Sequence, residues 1–383
     1  MEFKGFPRRN GVGIRNYVAV ISTVGCSGDV VQRITQLNPN AKPLVHHQGC
    51  AQTPPDVAHV EKVLVNLALN PNVHSVLLVS LGCESVSPQK VADLISKEKP
   101  VDIITVQEKG MSEAISRGSE LVKRMIADSR KCRREGFDLS EFKLAIKCGA
   151  SDTTSGIVSN PVAGDVADRL IGLGGTVIFG ETTELIGAEH IITKRAFNEN
   201  VAGRLYSAVE DLEKRAMSMG VDMRGGQPTR GNIEGGITTI EEKSLGAICK
   251  TGSTPLMDVI EYGERVQKRG LIFMDTPGRE LEALTGFAAG GAQAILFTTG
   301  IGAPQGFPIV PVVKVSGNPG VCRRLSEHID YDLSPVFYGR QDIDKAGRGL
   351  LEKILEVASG ELTKAEIAGY ESNFDIYVRG PVI

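Results

Sequence analysis

The strongest constraint in this sequence is a regular alternation of short apolar runs with segments of helical period. Runs at 17–22, 42–46, 76–81 and 101–106 read as strands, and 30–37, 57–68 and 112–127 carry the spacing of amphipathic helices. Strands that are apolar on both faces must be covered on both faces, which selects a mainly parallel sheet. Further runs at 142–146, 176–179, 294–298 and 310–315 continue the pattern, with helices at 166–171, 199–219 and 346–357. The chain is therefore expected to be α/β, with two Rossmann-like parallel or mixed sheets, flanking helices and no separate small N-terminal β domain. Its 383 residues exceed a usual single core. The stretch Gly225-Gly226-Gln227-Pro228-Thr229 reads as a connection, giving a first α/β catalytic domain at 1–225 and a second at 226–383.

In parallel sheets ligands gather beyond the carboxyl ends of the strands. Cys26, Cys50, Cys83 and Cys148 each fall just after a predicted strand. Thiolate, imidazole and carboxylate together suit a borderline metal, so Cys50, Cys83, Cys148, His47 and Glu84 form a candidate metal set. His46 and His47 alternate at a strand end, and only one of them is expected to face the ligand. The occupant could be Fe2+ or another divalent metal; an iron–sulfur cluster held by three cysteines is the alternative. Glu181, Glu184 and His190 offer paired acid–base groups, and Lys243 is a further candidate for proton transfer. Asp152 lies in a hydroxyl-rich loop suited to a carboxylate or polyol, and the Arg15 fork could orient an acidic substrate. Asp56 precedes a helical stripe and could cap it.

Other classes find little support. A formal charge of −3, from 43 basic and 46 acidic residues, gives no electrostatic footprint for nucleic acid. Seven cysteines, an odd number with no secretory leader, point to a reducing, cytoplasmic setting. No apolar run reaches membrane-spanning length. Gly300-Ile301-Gly302 lacks the rest of a dinucleotide fingerprint, and no GxxxxGK[ST] run occurs, so no nucleotide cofactor is expected.

The motifs GFPRRNGVGIRN at 5–16, STVGC at 22–26, HHQGC at 46–50 and LGCES at 81–85 come in order along the chain. They are followed by CGASDTTSGIVSNP at 148–161, GETTELIGAEH at 180–190 and GNIEGGITTIEEKSLG at 231–246. FMDTPG at 273–278, FTTGIGAPQG at 297–306 and a terminal GPVI complete the set. Together they resemble the large catalytic region of the altronate and galactarate dehydratase family. The resemblance implies a lyase that removes water from a small hydroxy carboxylic acid, a sugar acid, with iron or a comparable divalent ion. The product would be a 2-keto-3-deoxy acid. A separately encoded small subunit and a homo-oligomer are the expected partners. Release of sulfite and pyruvate from (2R)-sulfolactate by a free-standing large subunit is the alternative, and a noncatalytic organising subunit a third. Ile301 stands where sugar-acid dehydratases usually carry an arginine, in the TTGRG segment, which removes a charge that could meet a polyhydroxylated or second carboxylate end.

Overall fold

The computed structural model describes residues 1–226, 228–370 and 374–383. Its strands are β1 (Glu2–Arg8), β2 (Gly11–Gly13), β3 (Tyr17–Ser22), β4 (Ala41–Leu44), β5 (Val73–Ser80), β6 (Val101–Thr105) and β7 (Glu135–Asp138). They continue as β8 (Lys143–Cys148), β9 (Thr176–Phe179), β10 (Leu256–Ile260), β11 (Gly270–Met274), β12 (Ala294–Thr298), β13 (Val312–Ser316) and β14 (Tyr331–Asp332). A four-stranded sheet runs β4-β3-β5-β6 and a seven-stranded sheet β10-β11-β9-β8-β12-β13-β14. Every pairing within these two sheets is parallel. A small third sheet joins β1 antiparallel to β2 and β7.

The apolar runs explain this arrangement. In the smaller sheet Val18, Val20, Leu77 and Val79 pack toward Val31 and Ile34 of the helix Gly28–Leu37 and Val122 of the helix Met111–Ser129. The alternate residues, Ala19, Ile21, Val76 and Leu78, face the other side, with Val60 and Leu64 of the helix Pro54–Ala68. That second face is continuous with the core of the larger sheet, because the helix Pro54–Ala68 packs on the helix Glu280–Ala289. Buried amides tie the seam. Asn72 Nδ2 donates to the carbonyls of Gln293 and Ile309 at 2.8 and 3.0 Å, and Asn70 Nδ2 to those of Ala288 and Ala292 at 2.8 and 2.9 Å.

The expected division at 225/226 runs through the seven-stranded sheet, since β8 and β9 precede it and β10 to β14 follow it. The sheets themselves part after β7. The long helix Glu199–Ser218 and the short helices after it are an excursion between β9 and β10. Gly225 and Gly226 end one of those short helices, and Gln227 of the expected connection lies outside the described residues. Asp56 does not cap its helix. Thr53 holds the N-cap position, and the Asp56 carboxylate accepts from the Thr53 hydroxyl at 2.9 Å and the Arg379 N–H at 3.3 Å. Among the described residues no helix is long and apolar enough to cross a membrane.

The larger sheet has a topological switch at β8. The chain passes from β8 to β9 on one side, and β12 later enters on the other. Strand connections that diverge in this way leave a crevice at the carboxyl ends.

Candidate active site

The carboxyl ends of β8 and β9 carry charge into the interior. Lys147, the penultimate residue of β8, is buried at 1% exposure, as is Glu181, two residues beyond β9. Glu181 adopts a left-handed backbone, φ 71°, shared among the described non-glycine residues only with Ala51. Such a conformation costs about 1–3 kcal/mol and persists only where surroundings enforce it. Here the Glu181 N–H donates to Thr276 Oγ1 at 2.7 Å, and the turn swings the carboxylate back over β8. Its oxygens accept from Lys147 Nζ at 2.6 Å, from Lys250 Nζ at 2.8 Å and from the Cys148 N–H at 2.9 Å.

Lys250 follows the helix Ile240–Ile248 and bridges two carboxylates, reaching Glu184 Oε2 at 2.6 Å. Lys243, on that helix, lies 4.0 Å from the other Glu184 oxygen and donates to Asn232 Oδ1 at 3.2 Å. The result is a row of alternating charge, Lys147, Glu181, Lys250, Glu184 and Lys243, that runs from the sheet to a cavity. That cavity, of about 320 Å³, is lined by Ser151, Asp152, Thr153, Ser155, Asn160 and Lys243 among others. A π-helical turn, Ser155–Ser159, forms part of its wall. Such turns are rare and gather at functional sites.

The two carboxyls of the row are driven apart. Burial opposes ionisation of Glu181, but Lys147 and Lys250 on either side outweigh it and hold its carboxyl below the ordinary range. For Glu184, burial and then the Glu181 charge raise the proton affinity, and Lys250 and Lys243 offset this only in part. Burial lowers the proton affinity of Lys147 and Lys250, yet the carboxylates beside them reverse the balance and raise both. One ionised carboxylate beside one that tends to keep its proton is the arrangement that divides base from acid.

Asp152 lines the cavity, with both oxygens occupied. Oδ1 accepts from Thr154 Oγ1 at 2.7 Å and the Ser155 N–H at 3.1 Å, and Oδ2 from Asn318 Nδ2 at 2.7 Å. Gly300 presses on it so closely that a Cβ there would overlap the carboxylate. Asp152 thus fastens the 151–155 loop to the ends of β12 and β13.

Other predicted residues are placed elsewhere. Arg15 does not reach the cavity. The five donors of a guanidinium are all committed: to Glu366 at 2.8 and 2.8 Å, and to the carbonyls of Ile14, Val357 and Glu361 at 3.0, 2.9 and 2.7 Å. It is a tie between the N-terminal hairpin and the C-terminal helices. Burial opposes ionisation of Glu366, but the Arg15 bonds prevail and hold its carboxyl below the ordinary range. A depressed carboxyl stabilises the fold above its unfolded value, about pH 4.3, and that contribution is lost as pH falls through the folded value. Glu366→Gln should therefore cost about 3–5 kcal/mol at neutral pH and flatten the loss of stability on acidification. KM should be unchanged; denaturant titrations across pH and steady-state kinetics check both halves. His190 is exposed on the short helix Glu189–Thr193 and stands apart from the buried row.

The five-residue metal set is not assembled around one point. Cys148 is buried beneath the larger sheet's loops, its Sγ 3.1 Å from Ser151 Oγ, and burial and the Glu184 charge push its thiol up. Cys50 and Cys83 are exposed on the other sheet, as is His47, whose Nδ1 lies 3.1 Å from Asp375 Oδ1. Of the histidine pair His46 is the inward one: burial lowers its pKa to about 4, and Nε2 donates to the Ser22 carbonyl at 2.8 Å. Glu84 is a loop organiser, accepting from Thr23 Oγ1 and the Gly82 N–H, both at 2.6 Å. Among the described residues no three His, Cys, Asp or Glu side chains come together to hold a metal ion. A single divalent ion does not fit this set.

Lys147 and Lys250 were not expected from the sequence. The two lysines left a trace: each is a charge directly beside an apolar run, in LAIKC and AICK. Two larger cavities, of about 450 and 440 Å³, lie at the amino ends of β8 and β9 and beside β10. Volume alone does not make either the site, because neither is lined by a residue of the buried row.

A family model described as D-galactarate dehydratase/altronate hydrolase, second domain, matches residues 5–130. Another, D-galactarate/altronate dehydratase, C-terminal, matches residues 139–382. The chain belongs to the D-galactarate/altronate dehydratase family. β7 lies between the two matches, after the last strand of the four-stranded sheet and before the first of the seven-stranded one. A relative in Chromohalobacter salexigens, (2R)-sulfolactate sulfo-lyase subunit beta, is 38% identical over 96% of this chain and 95% of that protein. Altronate dehydratase of Bacillus subtilis is 33% identical over 95% of this chain and 75% of its own length. Galactarate dehydratase (L-threo-forming) of Escherichia coli is 30% identical over 99% and 77%.

Proposed function

We propose that the chain is a hydro-lyase that removes water from a small sugar acid bearing a 2-hydroxy carboxylate, giving a 2-keto-3-deoxy acid. The observation that carries this reading is the buried row ending at Lys243, with Glu181 and Glu184 biased toward opposite protonation states. Lys243 offers an ammonium to the substrate carboxylate, which acidifies the adjacent C–H. The longest link of the row, 4.0 Å between Lys243 and Glu184, lies where the cavity meets it, so substrate enters there. The α-proton passes to the Glu181, Lys250 and Glu184 unit, and the C–H electron pair becomes the carbon–carbon double bond. The same unit returns a proton to the departing β-hydroxyl, so water leaves and the unit's charge is restored. The enol then tautomerises to the keto acid. Lys250 and Lys147 keep the two carboxyls apart in proton affinity, and Ser151, Thr153 and Asn160 offer partners for substrate hydroxyls.

A second reading, release of sulfite from a sulfolactate-type acid, is favoured by one specific observation. The sulfo-lyase subunit matches this chain nearly end to end, whereas the match covers only 75% and 77% of the two dehydratases' own lengths. Since that relative is a subunit, a separate small partner chain is part of this proposal. Assaying the chain, alone and with such a partner, against aldonates, aldarates and (2R)-sulfolactate decides between them. Keto acid without sulfite supports the main reading, equimolar sulfite the second, and no elimination from any acid removes both.

A further inference from the structure

The amino ends of β8, β9 and β11 lie side by side, at the end of the larger sheet opposite the buried row. Parallel register sets Lys143 beside Thr176 and Thr176 beside Gly270. The segment that leads into β11 brings Arg265, Lys268 and Arg269 to the same place. Together with Lys143 they line a cavity of about 450 Å³, and among the described residues Glu141 is its one lining carboxylate. A chain of net charge −3 has gathered four cations around one hollow. Such a cleft concentrates the field of its charges. Part of the wall comes from the smaller-sheet unit, through Asn66 of the helix Pro54–Ala68 and Pro71. Seams between packed units are common places for small ligands.

Three of the cations are anchored from one side. Arg265 Nη1 meets Glu98 Oε1 at 2.8 Å, Arg269 Nη2 meets Glu141 Oε1 at 3.0 Å, and Lys268 Nζ lies 3.3 Å from Asp258 Oδ2. Lys143 differs. Gln293 holds its backbone, but among the described residues its ammonium has no hydrogen-bond or ion-pair partner. The buried lysines elsewhere are not left so. Lys99 Nζ donates to three carbonyls, and Lys147 and Lys250 to carboxylates. Burial and then the Arg265 charge lower the proton affinity of Lys143, with Glu141 offsetting this only in part. A half-buried ammonium beside two guanidiniums is costly until an anion meets it.

We propose that this cavity binds a small polyanion, with Lys143 meeting one of its oxyanions and Arg265 and Arg269 flanking it. An ammonium and guanidinium forks suit phosphoryl and carboxylate oxygens alike. The ligand is therefore a phosphorylated or polycarboxylic small molecule. This site is separate from that of elimination. Lys143 and Lys147 stand about 13 Å apart at the rise of a strand, and no residue of the buried row lines the cavity. A bound anion also ties the two sheet-bearing units together, so it should stabilise the fold as the site fills.

The test is calorimetric titration of the full chain at low ionic strength, with pyrophosphate and separately with citrate. One-to-one saturable binding is expected, and the tighter probe tells a phosphoryl from a carboxylate ligand. Lys143→Met should weaken that binding about 10–100-fold. Glu141→Gln, which removes the lining carboxylate, should tighten it. Lys243→Met, at the elimination site, should bind as the wild type does, so this proposal and the hydro-lyase reading fail separately. Without ligand, Lys143→Met should melt no lower than the wild type, because it removes a cation that has no partner. No saturable binding of either probe, unchanged binding by Lys143→Met, a lowered melting point for that variant, or loss of binding in Lys243→Met would overturn the proposal.

Discussion

Replacing Glu184 with glutamine should lower kcat for water elimination by about 10²–10⁴-fold, with the protein still folded. Glutamine has the shape of the protonated acid, the form that burial and the neighbouring Glu181 charge favour at this position. It can still accept from Lys250, 2.6 Å away in the wild type, but it has no proton to give a departing hydroxyl. The pH profile adds a readout that a packing defect would not move. Activity that needs a protonated Glu184 persists below its raised pKa and falls as pH rises through it. In the variant that alkaline limb should vanish from whatever activity remains. Sulfite departs as a stable anion and needs little protonation, so the variant should lose far less activity toward a sulfolactate-type acid. Equal losses with both leaving groups would show that Glu184 is not the proton donor.

Lys250→Met should be the most destabilising single change in the buried row, at about 3–5 kcal/mol. The ammonium is shared by two carboxylates at 2.8 and 2.6 Å, with side chains 2%, 1% and 5% exposed. Removing it leaves Glu181 with Lys147 alone and Glu184 with only the 4.0 Å contact to Lys243. A buried charge without its partner is the costly outcome, and methionine fills the space without replacing the charge. Denaturant titration gives the loss as a shift in midpoint. A Lys250→Met chain as stable as the wild type would mean that the charges of the row do not hold it together.

The sequence made the layered α/β plan legible because buried parallel strands are nearly continuous apolar runs. β3, β9 and β12 begin and end at the expected residues. β10 and β11 escaped notice: Asp258 interrupts the first, and the second begins at Gly270, whose φ of +95° no apolar pattern announces. The expected boundary at 225/226 falls between strands of one sheet, because a Gly-rich stretch resembles a linker whereas sheet membership is set by pairing across long sequence distances. At the site, strand-end position pointed to Glu181, Asp152 and Lys243, but could not tell the two sheets apart. Cys148 was therefore grouped with Cys50 and Cys83, although it ends a strand of the other sheet. Arg15 was credited with a substrate role for its chemistry alone. Its partner, Glu366, lies far along the chain in a segment that carried no signal.

The most direct test of the account is the fate of the substrate α-proton. A sugar acid deuterated at the carbon next to its carboxylate is given to the enzyme, and formation of keto acid is compared with the protiated compound. A primary isotope effect on kcat/KM, with the deuterium released to solvent and Lys243→Met abolishing turnover, is the predicted result. Keto acid that carries all of the deuterium on the neighbouring carbon, the mark of a 1,2-shift, would contradict it.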